Sequence, residues 1–102
     1  MYGQSAATAN LTGIISDSSG SVIPGAAVEV RNISTGLERN MQSDSLGKYS
    51  FTSLPVGEYL LVVSHDGFRK FSQTGIRLNV NISATVDVQL EVGDVGQSVS
   101  VT

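Results

Sequence analysis

The 102-residue chain has no cysteine and no tryptophan, and only two prolines and six other aromatic residues. Without cysteine there is no disulfide staple, no thiolate metal site and no thiol nucleophile. Two prolines beside eleven glycines exclude collagen-like and proline-rich designs. Charged residues are 15% against 40% hydrophobic ones, which is not the composition of a disordered chain. Six basic residues against nine acidic ones give a net charge of -3 and no electrostatic footprint for nucleic acid. The longest strongly apolar run, Tyr59–Val63, falls far short of the ~20 residues of a membrane-spanning helix. The opening Met1-Tyr2-Gly3-Gln4-Ser5-Ala6-Ala7 shows neither the basic nor the apolar region of a signal peptide. What remains is one small domain, long enough to bury about 60–70% of the surface its unfolded chain exposes.

What is present is alternation. Over Thr85–Val92 every even position is apolar and every odd one polar, so Val86, Val88, Leu90 and Val92 are expected on a core face. Ile76–Ile82 repeats the pattern. Ala26, Val28 and Val30 alternate with polar neighbours, as do Tyr49 and Phe51, while Leu11, Gly13 and Ile15 share one side of the first strand. No window sustains the i, i+3, i+4, i+7 spacing of an amphipathic helix, so helix content is expected near nil. Strands are read at 9–16, 26–33, 38–43, 48–53, 58–65, 68–80 (broken near Gly75) and 84–92, with 97–102 as an eighth. Tyr59–Val63 is apolar at both parities and is placed centrally in a sheet.

Turn chemistry separates these strands at short intervals, as in a sandwich or barrel. Asp17-Ser18-Ser19-Gly20, Pro24-Gly25, Asp44-Ser45-Leu46-Gly47, Leu54-Pro55-Val56-Gly57 and His65-Asp66-Gly67 supply side-chain acceptors, fixed φ and positive φ where chains reverse. Gly13 lies on an apolar strand face, where a missing side chain lets an aromatic approach.

These motifs together resemble the carboxypeptidase regulatory-like domain. The resemblance is carried by Thr12–Asp17 with Gly20, Ile23–Val30, Ser43–Phe51, Leu54–Tyr59, Val62–Ser64 and Gly67-Phe68, spanning about Leu11 to Gly93. It implies an all-β, antiparallel Greek-key sandwich of the transthyretin or prealbumin type, similar also to collagen-adhesin B-type repeats and carbohydrate-binding-like folds. Gly13, Asp17, Gly20, Pro24, Gly25, Asp44, Gly47, Tyr49, Phe51, Pro55, Gly57, Tyr59 and Gly67 are its structural motif residues. Gln4-Ser5-Ala6 and Leu90–Gly93 with Ser98–Thr102 further resemble the copy found at the start of TonB-dependent-receptor-like outer-membrane proteins of Gram-negative bacteria. The expected organisation is a flexible leader over 1–8, the domain over 9–93, and a terminal strand or linker over 94–102 leading into a longer chain.

Candidate chemistry is sparse. His65 is the sole histidine, and its neighbour Asp66 points to the opposite face of a strand, so the two do not make a base and its orienter. Fifteen serines include no Gly-x-Ser-x-Gly turn. Asp17, Asp44 and Asp66 are the loop carboxylates that calcium would use if one end of the sandwich gathered them, but a turn role is the plainer one. An intramolecular Lys–Asn isopeptide bond lacks a lysine on the first strand; Lys48 and Lys70 are the only two. Tyr49, Phe51 and Tyr59 face the core, Tyr2 lies in the leader, and of Phe68 and Phe71, three residues apart, at most one is exposed, so core aromatics are a plainer reading than a platform for a sugar ring. Asn10, Asn32 and Asn81 head glycosylation triplets of the kind a Ser/Thr-rich β protein accumulates by chance. Arg31, Arg39, Arg69, Lys70 and Arg77 read as solvated faces and edge protection.

The expectation is a domain with no catalytic residue, cofactor or metal. It serves as a spacer or protein-docking module on the periplasmic side of an outer-membrane receptor or at the cell surface. Its partner is a protein or a neighbouring domain, with a glycan as the alternative ligand and neither nucleic acid nor membrane insertion. It is expected as a monomer, or as a weak dimer through the C-terminal strand.

Overall fold

The computed structural model describes residues 7–93. The expected leader, apart from its last two residues, and the expected strand at 97–102 lie outside the described residues. Eight strands follow in order: β1 (Thr8–Asp17), β2 (Ala27–Asn32), β3 (Glu38–Gln42), β4 (Lys48–Pro55), β5 (Gly57–Ser64), β6 (Phe71–Leu78), β7 (Ser83–Thr85) and β8 (Val88–Leu90). No helix occurs among the described residues.

The strands form two four-stranded sheets. In one, β1 lies between β4 and the successive short strands β7 and β8; the other has the order β3-β2-β5-β6. Period-two side chains fill the space between them. Leu11, Ile15, Tyr49, Leu54, Val88 and Leu90 come from the first sheet, and Val28, Val30, Tyr59, Leu61, Val63 and Leu78 from the second. Burial of this one apolar face per sheet is the main driving force for the fold. As its two-sided apolar pattern implies, β5 is an inner strand, bonded to β2 and β6 with Leu60 and Val62 half-buried on the outer face.

Two bulges curve the sheets. In β4 the pairing slips by one residue opposite Asn10, Ser53 takes φ 56°, and the Asn10 side-chain oxygen accepts the displaced Ser53 N–H at 3.1 Å. In β6 the slip falls at Gly75, φ 77°, so the strand continues through a glycine bulge where a break was expected. The β3 and β4 edges come together where the Ser50 N–H donates to Met41 Sδ at 3.3 Å, covering a donor that would otherwise sit on an open edge.

The structure corrects three sequence expectations. The segment 84–92 is not one strand. It breaks at Val86-Asp87, where the Asp87 carboxylate accepts the Ile14 N–H at 3.0 Å in place of a ladder carbonyl. Val88 and Leu90 are each 1% exposed, but Val92 is 69% exposed because the chain leaves β8 to bridge Phe68 in the β5–β6 loop. The alternation after Leu78 does not continue a strand: Asn79–Ile82 forms a turn with Asn81 at φ 62°, leaving Val80 and Ile82 in solvent. Pairing is also not wholly antiparallel. The β6–β7 connection crosses between sheets, so β7 and β8 run parallel to β1, while the other four pairings are antiparallel.

Candidate binding surface

Loops β1–β2, β3–β4 and β5–β6 share one end of the sandwich and bring Asp17, Asp44 and Asp66 to that end. Two of these carboxylates are occupied by their own turns. Asp17 Oδ1 accepts Ser19 Oγ–H at 2.6 Å, Ser19 N–H at 2.9 Å and Ser21 N–H at 3.1 Å, with Gly20 at φ 93° completing the reversal. Asp44 Oδ1 accepts the N–H groups of Leu46 and Lys48, both at 2.9 Å, and Gly47 follows at φ 74°. These bonds favour the charged form. The Ser19 hydroxyl bond chiefly holds the Asp17 carboxyl below its ordinary value, and the Lys48 and Leu46 amides do the same for Asp44. Among the described residues no three His, Asp or Glu side chains gather in a metal-binding arrangement.

His65 is half-buried, its ring edge-on to Phe68 at a centroid distance of 5.7 Å. Its Nδ1 lies 3.1 Å from the Asp66 backbone oxygen, so the two residues meet through the main chain and not as a base with its carboxylate. Gly67, φ 84°, closes that turn, and its carbonyl accepts the Gly93 N–H at 2.9 Å, clasping the end of the domain to the β5–β6 loop.

The remaining motif residues build the frame. Tyr49 is fully buried, and its hydroxyl donates to the Val86 carbonyl at 2.6 Å, tying β4 to the β7–β8 break. Burial, and secondarily the charge of Asp87, pushes that phenol well above its ordinary value. Gly13 makes the approach feasible: a Cβ there would collide with the Val86 carbonyl oxygen and lie 2.7 Å from Tyr49 Cε2. Phe51 packs beside Tyr49 at a ring-centroid distance of 6.0 Å. Tyr59 is also buried, its hydroxyl donating to the Pro55 carbonyl at 2.6 Å across the one-residue corner between β4 and β5. At that corner Gly57, φ 143°, leaves room for the Asn32 amide.

Two buried polar residues were not singled out by sequence reasoning as structural anchors. Ser43 is 5% exposed; its hydroxyl donates to Ile23 O at 2.7 Å and accepts the Ala26 N–H at 2.9 Å, clamping the exposed Pro24-Gly25 corner onto β3. Asn32 is 1% exposed, and its side-chain oxygen accepts the N–H groups of Ser34 and Thr35. A hydrophilic residue at the end of an alternating strand, followed by turn formers, is the signal both carry.

The solvent face of the second sheet is different. A groove of about 360 Å³ crosses β3, β2 and β5 and adjoins a depression of about 300 Å³ at Gly25, Ser64 and Asp66. The register sets its walls: Glu29 stands opposite Asn40 on one side and Val62 on the other, and Ala27 stands between Gln42 and Ser64. Beyond the groove Arg31 pairs with Glu38 at 3.7 Å, and Glu58 with Arg77 at the same distance, whereas Glu29 has no ion-pair partner among the described residues. The groove is open, and among the described residues no hydrogen bond joins Ser64 to Glu29 or His65.

A profile of the carboxypeptidase regulatory-like domain matches residues 10–91. No curated protein matches the chain. Among solved structures, catechol 1,2-dioxygenase from Acinetobacter sp. ADP1 superposes with a TM-score of 0.73 at 15% identity, covering 97% of this chain and 57% of that one. Hydroxyquinol 1,2-dioxygenase from Pseudomonas putida DLL-E4 gives 0.71 at 11% identity, covering 88% and 58%. The Bacillus anthracis TIE protein gives 0.73 at 19% identity, covering 84% of this chain and 17% of that one. At such identities the likeness is one of fold, and the chain spans less than two thirds of each neighbour's length. The profile match covers most of the chain, and the chain belongs to the carboxypeptidase regulatory-like domain family.

Proposed function

We propose that this chain is a non-catalytic accessory module that docks a protein partner or spaces neighbouring parts of an exported bacterial cell-envelope protein. The resemblance of Gln4-Ser5-Ala6 and Leu90–Gly93 to TonB-dependent-receptor-like proteins supports a role on the periplasmic side of the outer membrane. The observation that carries the reading is the use made of polar side chains. Asp17, Asp44 and Asn32 each turn a side-chain oxygen to backbone N–H groups of their own turns, and the Ser43 hydroxyl bonds the backbone on either side of the Pro24-Gly25 corner. The broad solvent face of β3-β2-β5 is meanwhile left with open polar groups.

Glycan binding is the competing role; Tyr49, Phe51 and Tyr59 are buried out of reach of a sugar, and Phe68 and Phe71 are partly buried against the core. The deciding experiment pairs a glycan array with affinity capture from a Gram-negative envelope extract. Saturable capture of a protein with no glycan signal is expected. A saturable glycan and no protein would overturn the reading.

A further inference from the structure

We infer that the groove across β3, β2 and β5 receives an extended, arginine-bearing polypeptide segment, with Glu29 as its ionic anchor. The inference rests on the docking reading above and specifies its surface and partner chemistry. Four polar side chains border the groove, those of Glu29, Asn40, Gln42 and Ser64, and none makes a hydrogen bond or ion pair among the described residues. That sets them apart from Asp17, Asp44 and Asn32, each of which has a side-chain oxygen bonded to the N–H groups of its own turn. Glu29 is half-buried in mid-sheet, and no lysine or arginine lines the groove. The arginine nearest along the same face of β2, Arg31, is taken by Glu38. An uncompensated carboxylate there disfavours phosphate, nucleic acid and acidic segments and favours a cation.

The neighbours select the kind of cation. Asn40, directly opposite Glu29, offers an amide oxygen, and Val62 on the other side offers an apolar wall. A guanidinium has five donors in a planar fork and a long methylene stem, so it can meet the carboxylate and amide together while its stem lies on Val62 and Ala27. A compact ammonium fills fewer of these acceptors.

The shape selects an extended chain. Glu29 and Ala27 are two residues apart on one strand and face the same side. Their separation of roughly 7 Å equals the i, i+2 repeat of an extended peptide running along the sheet. Ala27 and Ser64 are small, leaving the hollow beside the anchor into which the next side chain on the same face of the ligand fits.

The probe is the peptide acetyl-Ser-Arg-Ser-Arg-Ser-amide, titrated into ¹⁵N-labelled domain and compared with its citrulline counterpart, which keeps the shape and loses the charge. Saturable shifts confined to residues 27–29, 40–42 and 62–64 are expected for the arginine peptide alone. Glu29→Gln should weaken binding by about tenfold, as for loss of a charge-assisted bidentate contact. Ala27→Phe should abolish binding by filling the hollow, and Glu58→Gln, whose Arg77 partner lies away from the groove, should leave it unchanged. All three positions are on the solvent face, so thermal melts should stay close to wild type and verify that each variant is folded. Absence of saturation at millimolar peptide, equal binding of the citrulline peptide, or indifference to Glu29→Gln would overturn the inference. If Glu29→Gln and Ala27→Phe still capture the same envelope protein as wild type, docking stands and this groove is not its site. If nothing is captured while the peptide binds as described, the groove chemistry stands and the docking role fails.

Discussion

Replacing Gly13 by alanine should destabilise the domain out of proportion to the single methyl added. Gly13 does not have a positive φ, so the cost is steric and not conformational. The new Cβ would run into the Val86 carbonyl oxygen and lie 2.7 Å from Tyr49 Cε2 and 2.8 Å from its hydroxyl. Two of these three atoms are the partners of the 2.6 Å hydrogen bond that ties β4 to the β7–β8 break. Over-packing a filled core costs about 1–3 kcal/mol, and losing a hydrogen bond adds about 1 kcal/mol, for a sum of roughly 2–4 kcal/mol. In a domain of this size that corresponds to a fall in Tm of roughly 10–30 °C. Urea unfolding followed by circular dichroism measures it, with Tyr49→Phe as the partner variant. The phenylalanine removes the hydroxyl and leaves the Val86 carbonyl unpaired, at about 1–2 kcal/mol. Because both changes act on one contact, the double variant should fall short of the sum of the single effects. A Gly13→Ala protein within about 0.5 kcal/mol of wild type would refute the packing argument, since that is the scale of a neutral surface change.

Leu90→Asp should prevent folding while Gln89→Asp is nearly silent, because Leu90 is 1% exposed and Gln89 lies on the solvent side; equal effects in thermal melts would mean the strand phase is wrong. Ser43→Ala should cost about 1–3 kcal/mol by orphaning the buried Ile23 carbonyl and Ala26 N–H, with denaturant melts as the check. Asp17 and Asp44 have carboxyls lowered in the folded state, so their stabilisation is complete above the ordinary carboxylate range. It is lost as pH falls through that range and below it, because the unfolded chain then binds protons more readily. Melts from pH 7 to pH 2 should show this decline, and Asp44→Asn, which keeps an acceptor but cannot titrate, should flatten it.

The period of two made most of the core legible. Leu11, Ile15, Val28, Val30, Tyr49, Phe51, Val88 and Leu90 are all buried because each lies on the apolar parity of a strand that pairs along its length. The same rule misplaced Val80, Ile82 and Val92, because alternation in composition does not reveal where backbone pairing stops. Asn81 turns the chain, and Val92 belongs to a segment that leaves β8 to bridge the β5–β6 loop. The parallel alignment of β7 and β8 beside β1 was not legible either, since a strand's direction relative to its partner is a property of the connection between sheets. The groove is hidden for a related reason. Along β2, Glu29 looks like any other solvent-facing residue; only the cross-strand register brings Asn40, Val62 and the small residues at 27 and 64 around it.

Site-specific photo-cross-linking tests the central claim, that this sandwich works by docking a protein through its open sheet face. The cysteine-free chain accepts a single label at each chosen position. Gln42→Cys would carry a benzophenone at the rim of the groove without filling the hollow at Ala27, with Gln73→Cys on the edge strand and Ser19→Cys in the loop end as references. After irradiation in envelope extract, a discrete protein adduct is expected from position 42, suppressed by unlabelled wild type and absent from positions 19 and 73. Adducts of equal yield from all three positions, or none from position 42 while position 19 reacts, would contradict the docking claim.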